Sequence, residues 1–195
     1  GDRMPILLPE DYKYKLPKMY TVHQDFPKDH LENPEKVLRE SLACEEIYSL
    51  VKPGMKVAVA VGSRGITGIC QIVKMTINYL KELGAKPFIV SAMGSHGGGT
   101  KEGQREVLTG YGITEEAMGV PVVTGADTVD LGVNADGNHV WFDRAAYESD
   151  LIVPINRVKL HTDFIGELQS GLCKMLVIGL GNQKGCSAAH ETDFC

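Results

Sequence analysis

Residues 56–92 constrain the fold more than any other part of the chain, because two apolar runs there flank an amphipathic stripe. Lys56-Val57-Ala58-Val59-Ala60-Val61 is almost continuously apolar, as expected of a strand covered on both faces of a parallel sheet. Gly62-Ser63-Arg64-Gly65 ends that run. Ile66, Ile69, Cys70, Val73, Ile77 and Leu80 then recur at helical spacing up to Gly84, and a second strand is predicted over residues 86–92. Strand, helix and strand within about 35 residues make a β-α-β unit, whose crossover is almost always right-handed and whose strands lie in a parallel sheet. The predicted fold class is therefore α/β: a Rossmann-like layered domain with a mainly parallel central sheet and helices on both faces.

The rest of the chain extends this unit. Residues 5–8 and 19–22 are short apolar pieces among prolines and charges, which predicts edge strands. Asn33-Pro34-Glu35 opens a helix running to about residue 51, with Asn33 as N-cap and Pro34 at the first helical position, and Pro53-Gly54 stops it. Residues 1–54 thus form a periphery of edge strands and a packing helix, and residues 55–195 the α/β core of the same domain. Thr100 and Gln104 resemble an offset capping pair at the start of a helix that Tyr111-Gly112 closes. Strands are predicted over 121–124, 129–133 and 140–142, the last two joined by a turn as a structural hairpin. A short helix over 145–150 leads into the apolar strand Leu151-Ile152-Val153-Pro154-Ile155.

Composition removes several classes of function. A net charge of −5 argues against a general binder of nucleic-acid backbones, while leaving room for a local pocket that holds one small anion. Five cysteines, an odd number with no C-x-x-C spacing, signal neither a disulfide framework nor a zinc ribbon and point to a reducing cytoplasm. No stretch approaches the roughly 18–20 apolar residues of a membrane span. The glycines at 179, 181 and 185 do not spell G-x-G-x-x-G, so NAD binding is discounted.

Chemistry is concentrated in three loops at the carboxyl ends of predicted parallel strands, residues 62–65, 94–100 and 156–171, which a doubly wound sheet brings to one crevice. Arg64 is placed where a helix begins, so its guanidinium and the exposed backbone N–H groups would form a cradle for phosphate or carboxylate. His96 lies between glycines, which lets a ligand approach the backbone and leaves the imidazole few internal partners. Lys159, His161 and Asp163 alternate, so an extended segment would put a histidine between a cation and a carboxylate on one side. Lys174 interrupts an apolar stretch, where an ammonium must be paired, neutral or covalently used, while Cys173 beside it reads as a packed, inert thiol. His23, His30 and His139 sit in polar or edge contexts and are left aside.

Arg64, His96, His161, Lys174 and His190, in this order over most of residues 56–190, resemble the amino-terminal domain of the nickel-dependent lactate racemase family. That resemblance implies an isomerase acting on a small 2-hydroxy acid through a nickel-pincer nucleotide, a pyridinium mononucleotide attached covalently to a lysine. It gives Lys174 the attachment, His190 the nickel, and His96 and His161 the two opposed acid/base roles. Arg64 would take the phosphate or the substrate carboxylate, with Ser63, Gly97 and Gly98 as further cofactor contacts. Hydride removal to the cofactor is implied because the substrate's α-proton is too weakly acidic for an unaided base. The segment Gly62-Ser63-Arg64-Gly65-Ile66 keeps the arginine of the family's acidic-histidine-threonine-arginine-proline loop and loses its neighbours, as a relative with another substrate would. The resemblance further implies a second, carboxy-terminal α/β domain, predicted to be missing here, without which the 195-residue chain is expected to be inactive or weakly active. Two other readings stay open: an α/β module binding a phosphate-bearing metabolite at Arg64 and the His96 loop, and a zinc site of His96, His161 and His190.

Overall fold

The computed structural model describes residues 11–15, 17–161, 165–166 and 169–191. By its contacts the chain divides into residues 1–32 and 33–195. In the first unit the described residues form one 3-10 turn, Asp11–Lys13, and no strand. The edge strand expected over 19–22 is absent, because Met19, Tyr20 and Val22 are largely exposed and a strand there has neither a pairing edge nor a face to bury. The one expected over 5–8 lies outside the described residues.

The second unit begins as its caps dictate. Asn33 Oδ1 accepts from the Lys36 N–H at 3.0 Å, and Pro34 opens helix α1, Pro34–Leu42. The helix expected to reach residue 51 breaks here, and a separate turn, α2, spans Glu45–Tyr48. Strand β1, Lys56–Val61, helix α3, Ile69–Glu82, and strand β2, Lys86–Ser91, follow as the β-α-β unit. Helix α4, Lys101–Gly110, turn α5, Glu115–Met118, and strand β3, Val122–Val123, complete one side. A hairpin of β4, Thr128–Val133, and β5, His139–Asp143, then leads through α6, Arg144–Tyr147, to β6, Leu151–Ile155. The last elements are α7, Leu172–Lys174, a π-helical stretch, Met175–Gly179, and α8, Asn182–Glu191.

The central sheet is parallel throughout in the order β3-β2-β1-β6, with Val59 beside both Ile89 and Val153. Alternation along β1 divides the core. Val57, Val59 and Val61 face Ile69, Val73, Ile77 and Leu80 of α3, together with Leu108, Ile113 and Met118. Each fully buried side chain of this kind stabilises the fold by ~1.5–3 kcal/mol. Ala58, Ala60, Val90 and Ala92 line the opposite face, against Ala146, Met175 and Leu180. Their short side chains let the π-helical stretch approach closely: a Cβ on Gly179 would lie 2.9 Å from the Ala92 carbonyl oxygen. Both faces of the sheet are thus covered, as the apolar run of β1 predicts.

The hairpin carries α8. Asn182 opens that helix in the left-handed region, φ 53°, and its buried amide donates to Asp143 Oδ2 at 2.8 Å. Asp143 also caps α6 by accepting from the Ala146 N–H at 2.9 Å. The Lys184 ammonium lies 3.3 Å from the centroid of the Trp141 ring, a cation–π contact that ties helix to hairpin.

Candidate functional site

Strand β1 extends the sheet through β2 and β3 on one side, whereas β6 flanks it on the other. The strand order therefore reverses about β1, and the loops beyond the carboxyl ends of β1, β2 and β6 share one rim, the usual ligand position in such sheets. The rim is tied across by backbone bonds from Gly62 N–H to Ile155 O, 3.2 Å, and from Ala92 N–H to Val61 O, 2.9 Å.

Arg64 lies on this rim, exposed, but it does not open a helix. Residues 65–68 separate it from α3, whose N-cap is Gly68 at φ 74°, so the cradle expected from N-terminal N–H groups is not formed around the guanidinium. The glycines of the β2 loop, not β-branched or polar helix starters, shape the next part of the rim. Gly97 has φ +65° and no room for a Cβ, which would meet the carbonyl carbon of Gly103 at 2.5 Å, whereas Gly98, at φ +67°, faces open space. Gly97 is thus glycine for its packing on α4, and Gly98 is the position at which a ligand could approach the backbone. Thr100 caps α4 by accepting from the Gly103 N–H at 3.1 Å. Gln104 plays no capping part: fully buried, it accepts from the Ser91 hydroxyl at 2.7 Å and donates to Gly94 O at 3.2 Å, fixing the base of the loop.

His96 is not left without internal partners, as its glycine neighbours suggested. Its Nδ1 is hydrogen-bonded to Ser63 Oγ, joining the loops after β1 and β2. The Ser63 carbonyl in turn accepts from the Tyr111 hydroxyl at 2.5 Å. Partial burial, then the positive charges of Arg64 and Lys174, hold the His96 pKa below its ordinary value, so all three groups share one electrostatic neighbourhood.

Lys174 reaches that neighbourhood through its successor. Met175 is buried in the alanine-lined core, with its Sδ and Cε about 3.5 Å from where a Cβ on Gly62 would sit. Lys174 itself is exposed, against the expectation from its apolar neighbours, because a helical turn puts Leu172, Cys173, Lys174, Leu176 and Val177 outward and only Met175 and Gly179 inward. Cys173 is likewise exposed, not packed. Desolvation, then Lys159 and Arg64, depress the Lys174 pKa, and Cys186 opposes them. Among the described residues, Arg64, Lys159 and Lys174 form no ion pair, so no described carboxylate neutralises this group of positive charges. Asp163, expected as the carboxylate of this loop, lies outside the described residues.

Cys186 links His190 to the rim. Its Sγ is 3.6 Å from Ser95 Oγ and 3.6 Å from His190 Nδ1. Nδ1 of His190 also lies 2.6 Å from the Cys186 carbonyl oxygen. A carbonyl can only accept, so Nδ1 carries the proton in this contact. His161 is partly buried in the β6 loop, where its backbone N–H donates to Gln169 Oε1 at 3.0 Å. Among the described residues no three His, Cys, Asp or Glu side chains gather as a metal-binding group, so His96, His161 and His190 do not make the zinc site considered from sequence. His139, set aside as lacking a converging partner, has one: its Nδ1 meets Asp130 Oδ2 at 2.8 Å across the hairpin, and its ring stacks on Trp141, a structural pairing. Sequence reasoning missed Tyr111 and Ser95, which carry no motif, and Cys186, although its spacing of four from His190 on one helix was available.

Fold and rim together define a parallel α/β domain whose rim at the switch point carries Arg64 and His96, with Lys174 close enough to act on the imidazole. The family model of the lactate racemase N-terminal domain matches residues 3–195, and the chain belongs to that family. No curated protein matches it. None of the described helices is long and apolar enough to cross a membrane.

Proposed function

We propose that this domain holds a nickel-pincer nucleotide for the racemisation or epimerisation of a small 2-hydroxy acid in the cytoplasm, together with a second domain of the same protein. What supports the reading is that Arg64 and Lys174 act on His96, and Lys159 and Arg64 on Lys174, while none of these cations has an ion pair to a described carboxylate. Such a patch suits an anionic ligand, and a depressed pKa on an exposed lysine favours the uncharged amine that covalent attachment requires. The chemistry of the donor set therefore fits the cofactor: Lys174 for the link, His190 Nε2 for the metal, and Arg64 with Ser63, Gly97 and Gly98 toward its phosphate. When bound, the nucleotide supplies the hydride acceptor that a 2-hydroxy acid needs.

The chain's own residues do the rest. Arg64 orients carboxylate or phosphate oxygens through paired N–H donors. His96, kept neutral by its surroundings, accepts the substrate hydroxyl proton, and His161 performs the same task for the opposite enantiomer. Full-length protein produced together with the cofactor's biosynthetic enzymes tests this. Intact-mass measurement is expected to show an adduct that disappears in Lys174→Ala, together with bound nickel. A loaded preparation with neither adduct nor nickel refutes the proposal and favours a module for a phosphate-bearing metabolite, for which the same uncompensated charge would account.

A further inference from the structure

Ser63 stands out because two independent contacts meet on it. Its carbonyl is held by the Tyr111 hydroxyl at the end of α4, and its side chain is bonded to His96 Nδ1 on the neighbouring loop. A serine hydroxyl both donates and accepts, so the bond by itself is compatible with either imidazole tautomer. The two tautomers differ in what they can do. If Ser63 donates to Nδ1, the ring proton sits on Nε2 and that nitrogen cannot take a proton from anything. If Nδ1–H donates to Ser63 Oγ, Nε2 carries the lone pair.

We propose that Ser63 is a positioning residue that selects the Nδ1–H tautomer of His96 and so makes Nε2 the basic atom. This rests on the reading of His96 as a general base and adds how that base is prepared. An Nδ1–H is present both in the neutral ring and in the imidazolium, so the bond to Ser63 survives the gain and loss of a proton at Nε2. The opposite arrangement would have to break on every cycle, because a protonated Nδ1 cannot accept from a hydroxyl. Partial burial, then the charges of Arg64 and Lys174, disfavour the doubly protonated ring, so a neutral tautomer is the form to be positioned. Tyr111 contributes by holding the Ser63 carbonyl, which fixes the backbone from which the hydroxyl reaches His96. The pattern is that of an orienting group behind a base, with a hydroxyl where other sites use a carboxylate.

The test is nitrogen-15 NMR of the histidine side chains in the 195-residue chain, at a pH where His96 is neutral. The wild-type ring is expected to be mainly Nδ1–H, opposite to the Nε2–H preference of a histidine free in water. Ser63→Ala should return it to Nε2–H, and Ser63→Thr, which keeps the hydroxyl, should retain Nδ1–H. Unchanged amide spectra elsewhere would show that the fold is intact in each variant. A wild-type ring protonated mainly at Nε2, or Ser63→Ala that keeps Nδ1–H, overturns the proposal. The measurement uses neither cofactor nor substrate. Its failure leaves the Lys174 adduct to be judged separately, and a missing adduct leaves the tautomer result standing.

Discussion

Two adjacent glycines with nearly the same backbone allow steric and conformational costs to be separated in the loop that carries His96. Gly97 and Gly98 have φ of +65° and +67°, so an alanine at either pays a similar left-handed penalty, ~1–2 kcal/mol. Either substitution also reduces the freedom of the unfolded chain, a gain of ~0.4–1 kcal/mol that is common to both. The surroundings differ. At Gly98 the new Cβ meets nothing within 4 Å, whereas at Gly97 it falls 2.5 Å from Gly103 C and 2.6 Å from Gln104 N, which are backbone atoms of α4. Backbone cannot swing aside as a side chain does, so the loop or the first turn of the helix must move, an overpacking cost of about 1–3 kcal/mol. Gly97→Ala is therefore expected to be less stable than Gly98→Ala by about that difference, or roughly 2–12 °C in melting temperature for a chain of this size. Urea unfolding and thermal melts of the two variants side by side check it. Equal destabilisation would refute the reasoning, since it would mean that the loop relaxes without resistance and does not hold His96 in a fixed place.

Three further outcomes follow from the charges. His96 should titrate below 6.5 by proton NMR, and Arg64→Gln should raise its pKa only part of the way, because burial is the larger cause and the guanidinium the second. The sign for stability follows: the unfolded chain binds this proton more readily than the folded one, so acidification from pH 6.5 down through the lowered folded value erodes stability. Lys174 should react with an amine-directed acylating reagent at mildly alkaline pH faster than exposed lysines such as Lys101, and Lys159→Gln should slow it by removing one of the charges that depress its pKa; equal rates by peptide mass mapping count against the shared patch. Asp143→Ala should cost about 2–4 kcal/mol in urea unfolding, combining the loss of an N-cap with a buried Asn182 amide left without its acceptor.

The parallel sheet was legible from residues 56–92 because β1 is apolar on both faces and α3 on one, and only a covered parallel strand flanked by a sheet-packing helix satisfies both patterns. What failed was local. The helix from Pro34 stops at Leu42, and the next turn starts at Glu45 after Cys44 in extended conformation, a break that propensity does not reveal because it depends on how little of α1 is buried. The start of α3 was placed too early for a related reason. Ile66 fits the apolar period, but the backbone from Arg64 to Gly68 is a turn that the period cannot distinguish from a first helical turn, and Gly68 at φ 74° is what ends it.

The site was legible in its residue types and not in its couplings. Arg64, His96 and Lys174 could be singled out because charge and imidazole in glycine-punctuated loops after strands have few structural uses, and the switch point brings the three loops to one rim. The apolar neighbours of Lys174 suggested a buried ammonium, whereas the helical turn buries Met175 and leaves the amine at the surface. The depressed pKa thus has a collective origin: moderate desolvation, compounded by two cations without a described counter-ion. That changes what holds the amine ready. A deeply buried lysine would be tuned by its cavity and would keep its pKa when a ligand arrives. An exposed one tuned by Arg64 and Lys159 loses part of the shift once an anion neutralises them, so binding of inorganic phosphate should slow acylation of Lys174 in the wild type and much less in Arg64→Gln. Phosphate that leaves the rate unchanged in both would place the anion elsewhere and separate Lys174 from the patch that defines the site.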